Sequence, residues 1–422
     1  MSAFRTNVVK LVRERPIVGV LGVAWLVALA FGGLGLYQLL TLGHESTGTG
    51  SYMAWGLWVA LYIFFVEMAA GMHILSSLAT VFEWKPFARI ARLAVFASLI
   101  SLAAGLSFIW IDLGHPERVW ELIWMNQPTS PMAVLAWVYL VFFILMLTQL
   151  AVVTRSSWLP ALGRFYGPQD AEADRRLTRT LGLIGIPLAI AVSSGVGSLV
   201  GAPGARIFWQ VGLYPVNFLA TALATGAAML ALMTVLLLPR DDPERPSLIV
   251  ILRWMVLVGV VAEFLFMFFD YFISLYGGVP ANVDAVQAII SGPYGWSFWI
   301  FQAAIGIVLP FLVLVNRRLS IQPFWLGLAG LMVLVGFVAV RLNALIPAFA
   351  VPQFEGLEEA FFEPRLSFEY FPSVTEWLVA ILIPAVLLGA FYVGYRVLPL
   401  VGRDLGQVPA NPGPESAGST GR

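Results

Sequence analysis

Ten stretches of about 20 or more predominantly apolar residues divide this chain, and no other feature constrains its fold as strongly. They fall at residues 17–40, 52–82, 88–112, 131–154, 178–200, 207–238, 249–276, 294–315, 323–347 and 374–398. A run of that length crosses the hydrocarbon core of a bilayer as one helix, because only a helix satisfies its own backbone in lipid. The sequence therefore predicts an all-α integral membrane protein. Composition agrees: 59% of the 422 residues are hydrophobic and 11% are charged, against roughly 25% charged in soluble domains. The formal net charge of zero argues against nucleic acid as a partner. The first run follows Arg13 and Arg15 like a signal peptide. Its apolar part is too long and no small-residue cleavage site follows, so it reads as a retained helix.

Lys and Arg set the expected orientation. The N-terminus, the loops between helices 2–3, 4–5, 6–7 and 8–9, and the C-terminus hold 20 of the 24. The opposite loops hold Arg118, Arg206 and Arg365, and Arg341 lies within helix 9. Such a bias predicts that both termini are cytoplasmic. The expected organisation is a cytoplasmic segment 1–16, a membrane domain 17–400 and a Pro/Gly-rich disordered tail 401–422. Within the membrane domain, helices 2–5 and 6–9 read as two copies of one unit, about 52–200 and 207–347. "SPMAVLAWVYLVFFI" opens helix 4 as "GPYGWSFWIFQAAIG" opens helix 8, and Asp112 of helix 3 matches Asp270 of helix 7. Four helices per copy give both copies the same orientation. Two four-helix bundles flanked by helices 1 and 10 are therefore expected.

The chemistry open to the chain is narrow. With no cysteine it cannot hold its own iron–sulfur cluster. Of His44, His73 and His115, only His73 lies within a helix, so a haem held between helices by two histidines is excluded unless methionine substitutes for one. No metal-binding or nucleotide-binding motif appears. The sharp signals are ionisable residues inside apolar runs: Glu67 and His73 in helix 2, Glu263 and Asp270 in helix 7, and Arg341 in helix 9. Each costs about 2.5–3.5 kcal/mol at the bilayer centre on insertion scales, so they should face the protein interior. Glu263 and Asp270, seven residues apart, share a helix face about 10 Å apart. Together with His73 and Glu67 they suggest a graded proton relay. Asp112, His115, Glu117, Arg118 and Glu121 crowd the distal end of helix 3. A buried Arg favours a nearby carboxylate, so Arg341 is expected beside Asp112, with Asp270 as the alternative. Carboxylates, an Arg and a His near aromatic rings could serve a quinone, which needs hydrogen-bond donors, a proton exchanger and an apolar slot. The longest loop, Ala348 to Ser373, mixes Glu355, Glu358 and Glu359 with Phe and Pro. Loops of that length are usually functional, and this one is expected to dock a partner.

The stretches "DLGHPERVW", "RLNALIP" and "GLEEAFFEPRLSFEYFPSVTEW" resemble the NrfD/polysulfide-reductase membrane-subunit family, especially its ten-helix branch, from helix 2 to helix 10. The resemblance implies a quinone-reactive anchor in a prokaryotic cytoplasmic membrane, without haem. It exchanges electrons between menaquinone or ubiquinone and a ferredoxin-like iron–sulfur subunit on the outer face. A molybdopterin or other catalytic subunit lies beyond. Carried over by residue, the quinone site comprises Asp112, His115, Arg118, Arg341 and Asn343. One departure is that many relatives have Arg where His115 stands. The rival class is a standalone transporter or ion channel, for which "IPLAIAVSSGVGSLVGAPG" in helix 5 would be a discontinuous helix. A purely structural anchor is the third.

Overall fold

Proline in the first turn starts most of the long helices, where its missing N–H costs nothing. The computed structural model describes residues 16–401, apart from 126, 353, 355, 361, 362 and 364. Ten of its helices are long and apolar enough to cross a membrane. They are α1 Pro16–Leu42, α2 Leu57–Val81, α3 Ala91–Asp112, α4 Pro131–Val153 and α5 Pro168–Gly201. The second half holds α6 Tyr214–Leu237, α7 Arg245–Gly277, α8 Ser297–Val315, α9 Pro323–Ala350 and α10 Val374–Val397. No strand occurs among the described residues. The chain is a multi-pass membrane protein. With ten spans, residues 16 and 401 lie on one face, the terminal face; the other is the distal face. The expected N-terminal segment and tail lie, but for residues 16 and 401, outside the described residues.

Each quartet closes into a ring in the same order. In the first, α2 packs on α3, α3 on α4, α4 on α5 and α5 back on α2; in the second, α6–α7–α8–α9 close likewise. The rings meet where α2 packs on α6 and α9. Two glycines bring α2 and α6 together. A Cβ on Gly71 would strike the carbonyl of Ala222, and one on Gly226 would strike the backbone of Gly71. This is the small-residue approach by which membrane helices gain packing area. Helix α2 is consequently buried along nearly its whole length. Helix α10 packs on α1 and α3 at the flank.

Several ends differ from the sequence expectation. Helix α5 begins ten residues early, at Pro168, because its first turns are charged and hydropathy does not register them. There Arg155 pairs with Asp174 at 3.0 Å, and Asp174 accepts from the Tyr166 hydroxyl at 3.0 Å. Pro187 sits inside α5 without interrupting it. The discontinuity that would favour a transporter is therefore not there. Pro347 likewise lies within α9. A short helix, Pro280–Ile290, between α7 and α8 was not anticipated. Residues Ser297–Val308 of α8 are π-helical, a geometry common at functional sites.

Part of the long loop folds back on the distal face. Ser51 N–H donates to the Arg365 carbonyl at 3.2 Å, and Tyr52 stacks on Phe368 at 4.5 Å. Ser373 and Glu376 form a capping box that starts α10. Buried Glu376 also accepts from Gly48 N–H at 2.8 Å and from the Tyr370 hydroxyl at 2.5 Å, and that hydroxyl accepts from Leu57 N–H at 2.7 Å. Burial and the adjacent Glu376 hold the Tyr370 hydroxyl well above the usual phenol range. One protonated phenol thus ties the starts of α2 and α10 together.

Candidate functional site

The centre of the protein holds a buried ion pair. Arg341 on α9 donates from Nε to Glu67 Oε2 on α2 at 2.8 Å, and the side chains are 2% and 1% exposed. Arg341 also donates from Nη2 to the Thr221 hydroxyl on α6, and its guanidinium lies 4.0 Å over the Phe218 ring. Three helices from both rings therefore converge on one cation. Arg341 does not reach the surface, although Pro347 is near.

This pairing corrects the expected partners, Asp112 and Asp270. Depth explains the error. Hydropathy started helix 2 at residue 52 and ended helix 9 at 347, which made Glu67 look deeper than Arg341. With the observed ends, Glu67 is ten residues from the start of α2 and Arg341 is nine from the end of α9. At about 1.5 Å per residue both lie about 14–15 Å below their helix ends. Asp112 instead lies within electrostatic reach of Glu376 and Tyr370.

Beside the pair is a cavity of ≈ 30 Å³, lined in part by Glu263, Asp270, Gln302, Arg341 and Asn343. That is about the room one water occupies, too little for a quinone ring. The structure thus brings Glu67, Glu263, Asp270, Arg341 and Asn343 together. Asn343 donates to Gln302 Oε1 at 2.6 Å, which the π-helical stretch of α8 carries. Glu67 Oε1 and Glu263 Oε2 have no protein partner. His73 is set apart: it is fully buried nearer the terminal face, edge-on to Phe142 at 5.1 Å, with neither ring nitrogen hydrogen-bonded. Gly185 makes room for it, since a Cβ there would strike Nε2.

A larger space opens in the first ring. Between the distal ends of α2, α3, α4 and α5 lies an apolar slot of ≈ 500 Å³. Its lining includes Ile63, Leu135, Phe143 and Val196, with Val119 and Ile123 from the segment after α3. Its polar feature is a pair of buried tyrosines, Tyr62 and Tyr139, whose hydroxyls are 2.5 Å apart. Tyr62 lies within electrostatic reach of Glu67. Neither tyrosine was singled out from sequence. A hydroxyl carries no insertion penalty comparable to a charge, and 12 tyrosines offer no reason to choose these two. Their signal was tertiary: α2 and α4 had to be placed side by side.

The charge cluster that follows Asp112 lies beside this slot, in surface pairs. His115 Nδ1 is 3.0 Å from Glu117, and Arg118 binds Glu121 through two bonds of 2.8 and 2.9 Å. The Glu117 backbone N–H, with His115, holds the Glu117 carboxyl below the usual carboxylate range. A third space, a distal cleft of ≈ 1070 Å³, lies under the long loop, lined in part by Glu45, Asp284, Asn343, Arg365 and Glu369. Asn343 lines both this cleft and the central cavity. Of the expected docking residues, Glu359 is exposed, Glu355 lies outside the described residues, and so does the side chain of Glu358.

The model of the family "Polysulphide reductase, NrfD" matches residues 45–353. Among curated proteins, the chain is 31% identical to a subunit of the selenate reductase of Mesobacillus selenatarsenatis, over 91% of this chain and 95% of that one. It is 25% identical to the Hdr-like menaquinol oxidoreductase integral membrane subunit of Archaeoglobus fulgidus, over 89% and 92%. It is 22% identical to the menaquinone reductase integral membrane subunit of Nitratidesulfovibrio vulgaris, over 88% and 89%.

Proposed function

Because this chain belongs to the NrfD polysulphide reductase family, we propose that it is the quinone-reactive membrane subunit of a respiratory oxidoreductase complex. The observation that carries the reading is the apolar slot that ends at the Tyr62–Tyr139 hydroxyl pair. Its ≈ 500 Å³ is within the range of small-molecule sites, about 300–1,000 Å³. Its walls suit a quinone ring and the start of its tail. A tyrosine hydroxyl donates a hydrogen bond to a quinone carbonyl or accepts one from a quinol. Menaquinone is the favoured substrate, since two relatives are named for menaquinol or menaquinone.

Quinone reduction takes up two electrons and two protons, and quinol oxidation releases them. With no cysteine in the chain, electrons pass to or from a partner, a ferredoxin-like iron–sulfur subunit with a molybdopterin or other catalytic subunit beyond it. We assign that partner to the distal face, which the Lys/Arg bias makes the outer one, with the cleft and Glu355, Glu358 and Glu359 at its interface. Protons move through Tyr62 or Tyr139 to Glu67, whose free Oε1 is available to accept one. Glu263 and Asp270 extend this path through the central cavity, and His73 continues it toward the terminal face. Asp112, His115 and Arg118 border the quinone entrance, and Arg341 and Asn343 set the charge and hydration behind it.

The test is quinone-linked turnover in membranes, with reduction of an artificial acceptor at the catalytic subunit as the control. Tyr139→Phe should lower the first and spare the second. Equal rates in wild type and in a Tyr62→Phe/Tyr139→Phe variant would remove the slot as the quinone site.

A further inference from the structure

The terminal face carries a pocket that the quinone reading does not use. It has a volume of ≈ 730 Å³ and lies where α7 begins, α8 ends and α9 begins. Arg240, Arg245, Arg253 and Arg317 line it. Four guanidiniums around one space repel each other unless an anion sits among them. Among the described residues, none of the four has a carboxylate partner. Nearby Asp241, Asp242 and Glu244 do not line the pocket, and Asp242 faces Arg89 at 3.8 Å.

Two of the arginines are built in rather than splayed into solvent. Arg253 is 5% exposed; it donates from Nε to the Leu314 carbonyl at 2.9 Å and from Nη2 to that of Val315 at 3.3 Å. Its guanidinium stacks 4.6 Å over the Trp254 ring. Arg245 is 8% exposed; it donates from Nη2 to the Val235 carbonyl at 3.1 Å, while its buried Nε has no partner. A guanidinium has five donors, so both hold N–H groups in reserve. The carbonyls at the end of α8 fix Arg253, which positions its remaining donors without neutralising it. Arg240 and Arg317 are exposed and complete the rim.

The rest of the lining is apolar, including Ile249, Val250, Trp254 and Ile321. Trp254 and Ile321 are themselves exposed, as residues at a lipid boundary are. A free phosphate has no use for such walls, but an acyl chain does. We infer that this pocket binds an anionic phospholipid, its phosphate held by the four arginines and its chain laid along Trp254 and Ile321. Guanidinium matches a phosphate geometrically through paired N–H bonds. Basic pockets between membrane helices take such headgroups from the leaflet they face. The assignment is independent of the quinone reading, since it uses no residue of the slot or the central pair.

The full chain, with the subunits that co-purify, is reconstituted in phosphatidylcholine nanodiscs with or without a minor share of phosphatidylglycerol. Bound lipid is read by native mass spectrometry and stability by thermal unfolding. Wild type should retain phosphatidylglycerol and unfold at a higher temperature with it, whereas inorganic phosphate in phosphatidylcholine discs should do nothing. Arg240→Gln/Arg317→Gln removes the two exposed charges and leaves the buried two. It should weaken retention on the order of thirtyfold and unfold like wild type in phosphatidylcholine alone. Equal retention by wild type and variant overturns the assignment. So does stabilisation by inorganic phosphate alone, which would make the pocket a free-anion site. If the variant fails to assemble, the wild-type comparison decides: no preference for phosphatidylglycerol over phosphatidylcholine overturns it.

Discussion

The two helix rings close in the same order yet enclose opposite interiors. The first opens at its distal end into an apolar slot of ≈ 500 Å³ with two hydroxyls. The second encloses ≈ 30 Å³ among Glu263, Asp270, Arg341 and other polar groups. The first ring has an apolar space with little charge; the second has charge around a small cavity, and its Asn343 also lines the distal cleft of ≈ 1070 Å³. Helix α2 reconciles them. It belongs to the first ring and packs on α6 and α9 of the second. It carries Tyr62 to the slot and Glu67 to Arg341. On the function proposed above, two similar units would divide one reaction, with the carrier bound in one and charge handled at the seam.

The largest effect should come from breaking that seam. Arg341→Ala leaves Glu67 buried without its cation, a loss of about 3–5 kcal/mol for pairs of this kind. We expect little assembled protein in membranes by immunoblot. Glu67→Gln/Arg341→Gln removes both charges and should recover much of the assembly, because no lone ion is left. Its quinone-linked turnover should stay low, which separates the pair's structural role from its proton role. Recovery of both would make the pair structural only.

Next in size is the slot. Tyr139→Phe deletes one hydroxyl from the pair and should cut quinone-linked turnover on the order of a hundredfold, as for loss of a proton-transferring group, with unchanged membrane content. Ala136→Trp fills the slot from α4. It should raise the apparent KM for quinol without comparable loss at an artificial acceptor. A space-filling change in the second ring, Ala344→Leu, should leave that KM within about twofold and act on proton-coupled turnover instead. The reverse pattern would exchange the roles of the two rings.

The smallest effect is expected at the charge cluster after α3. His115→Ala and Arg118→Ala break surface pairs whose side chains are 73% and 58% exposed. Such pairs are screened by water and salt. Turnover should change less than about twofold. A tenfold loss would bring these side chains into the site itself.

The membrane fold was legible because each span is a long apolar run, and burial of a backbone in lipid leaves few alternatives. The buried ionisable residues were legible for the same energetic reason: Glu67, Glu263 and Arg341 are costly where they stand. Their partners were not. Pairing depends on depth, and depth was misread where apolar loop residues before Leu57 extended helix 2 and where Pro347 appeared to end helix 9. The slot was invisible, since Tyr62 and Tyr139 lie 77 residues apart and meet only once α2 and α4 are packed. The arginine pocket was read only as a cytoplasmic charge bias. Arg245 and Arg253 share α7 and Arg240 precedes it, but Arg317 lies after α8 and joins them only when the second ring closes.

The division between the rings is tested most directly by photo-crosslinking. A menaquinone analogue with a photoreactive group on its ring is added to the intact complex, and the labelled peptides are mapped by mass spectrometry. Label on α2 and α4 near Tyr62, Leu135 and Tyr139, lost on competition with menaquinone and in Ala136→Trp, is the predicted result. Label on α7 or α9 near Asp270 and Asn343, unaffected by Ala136→Trp, would contradict it.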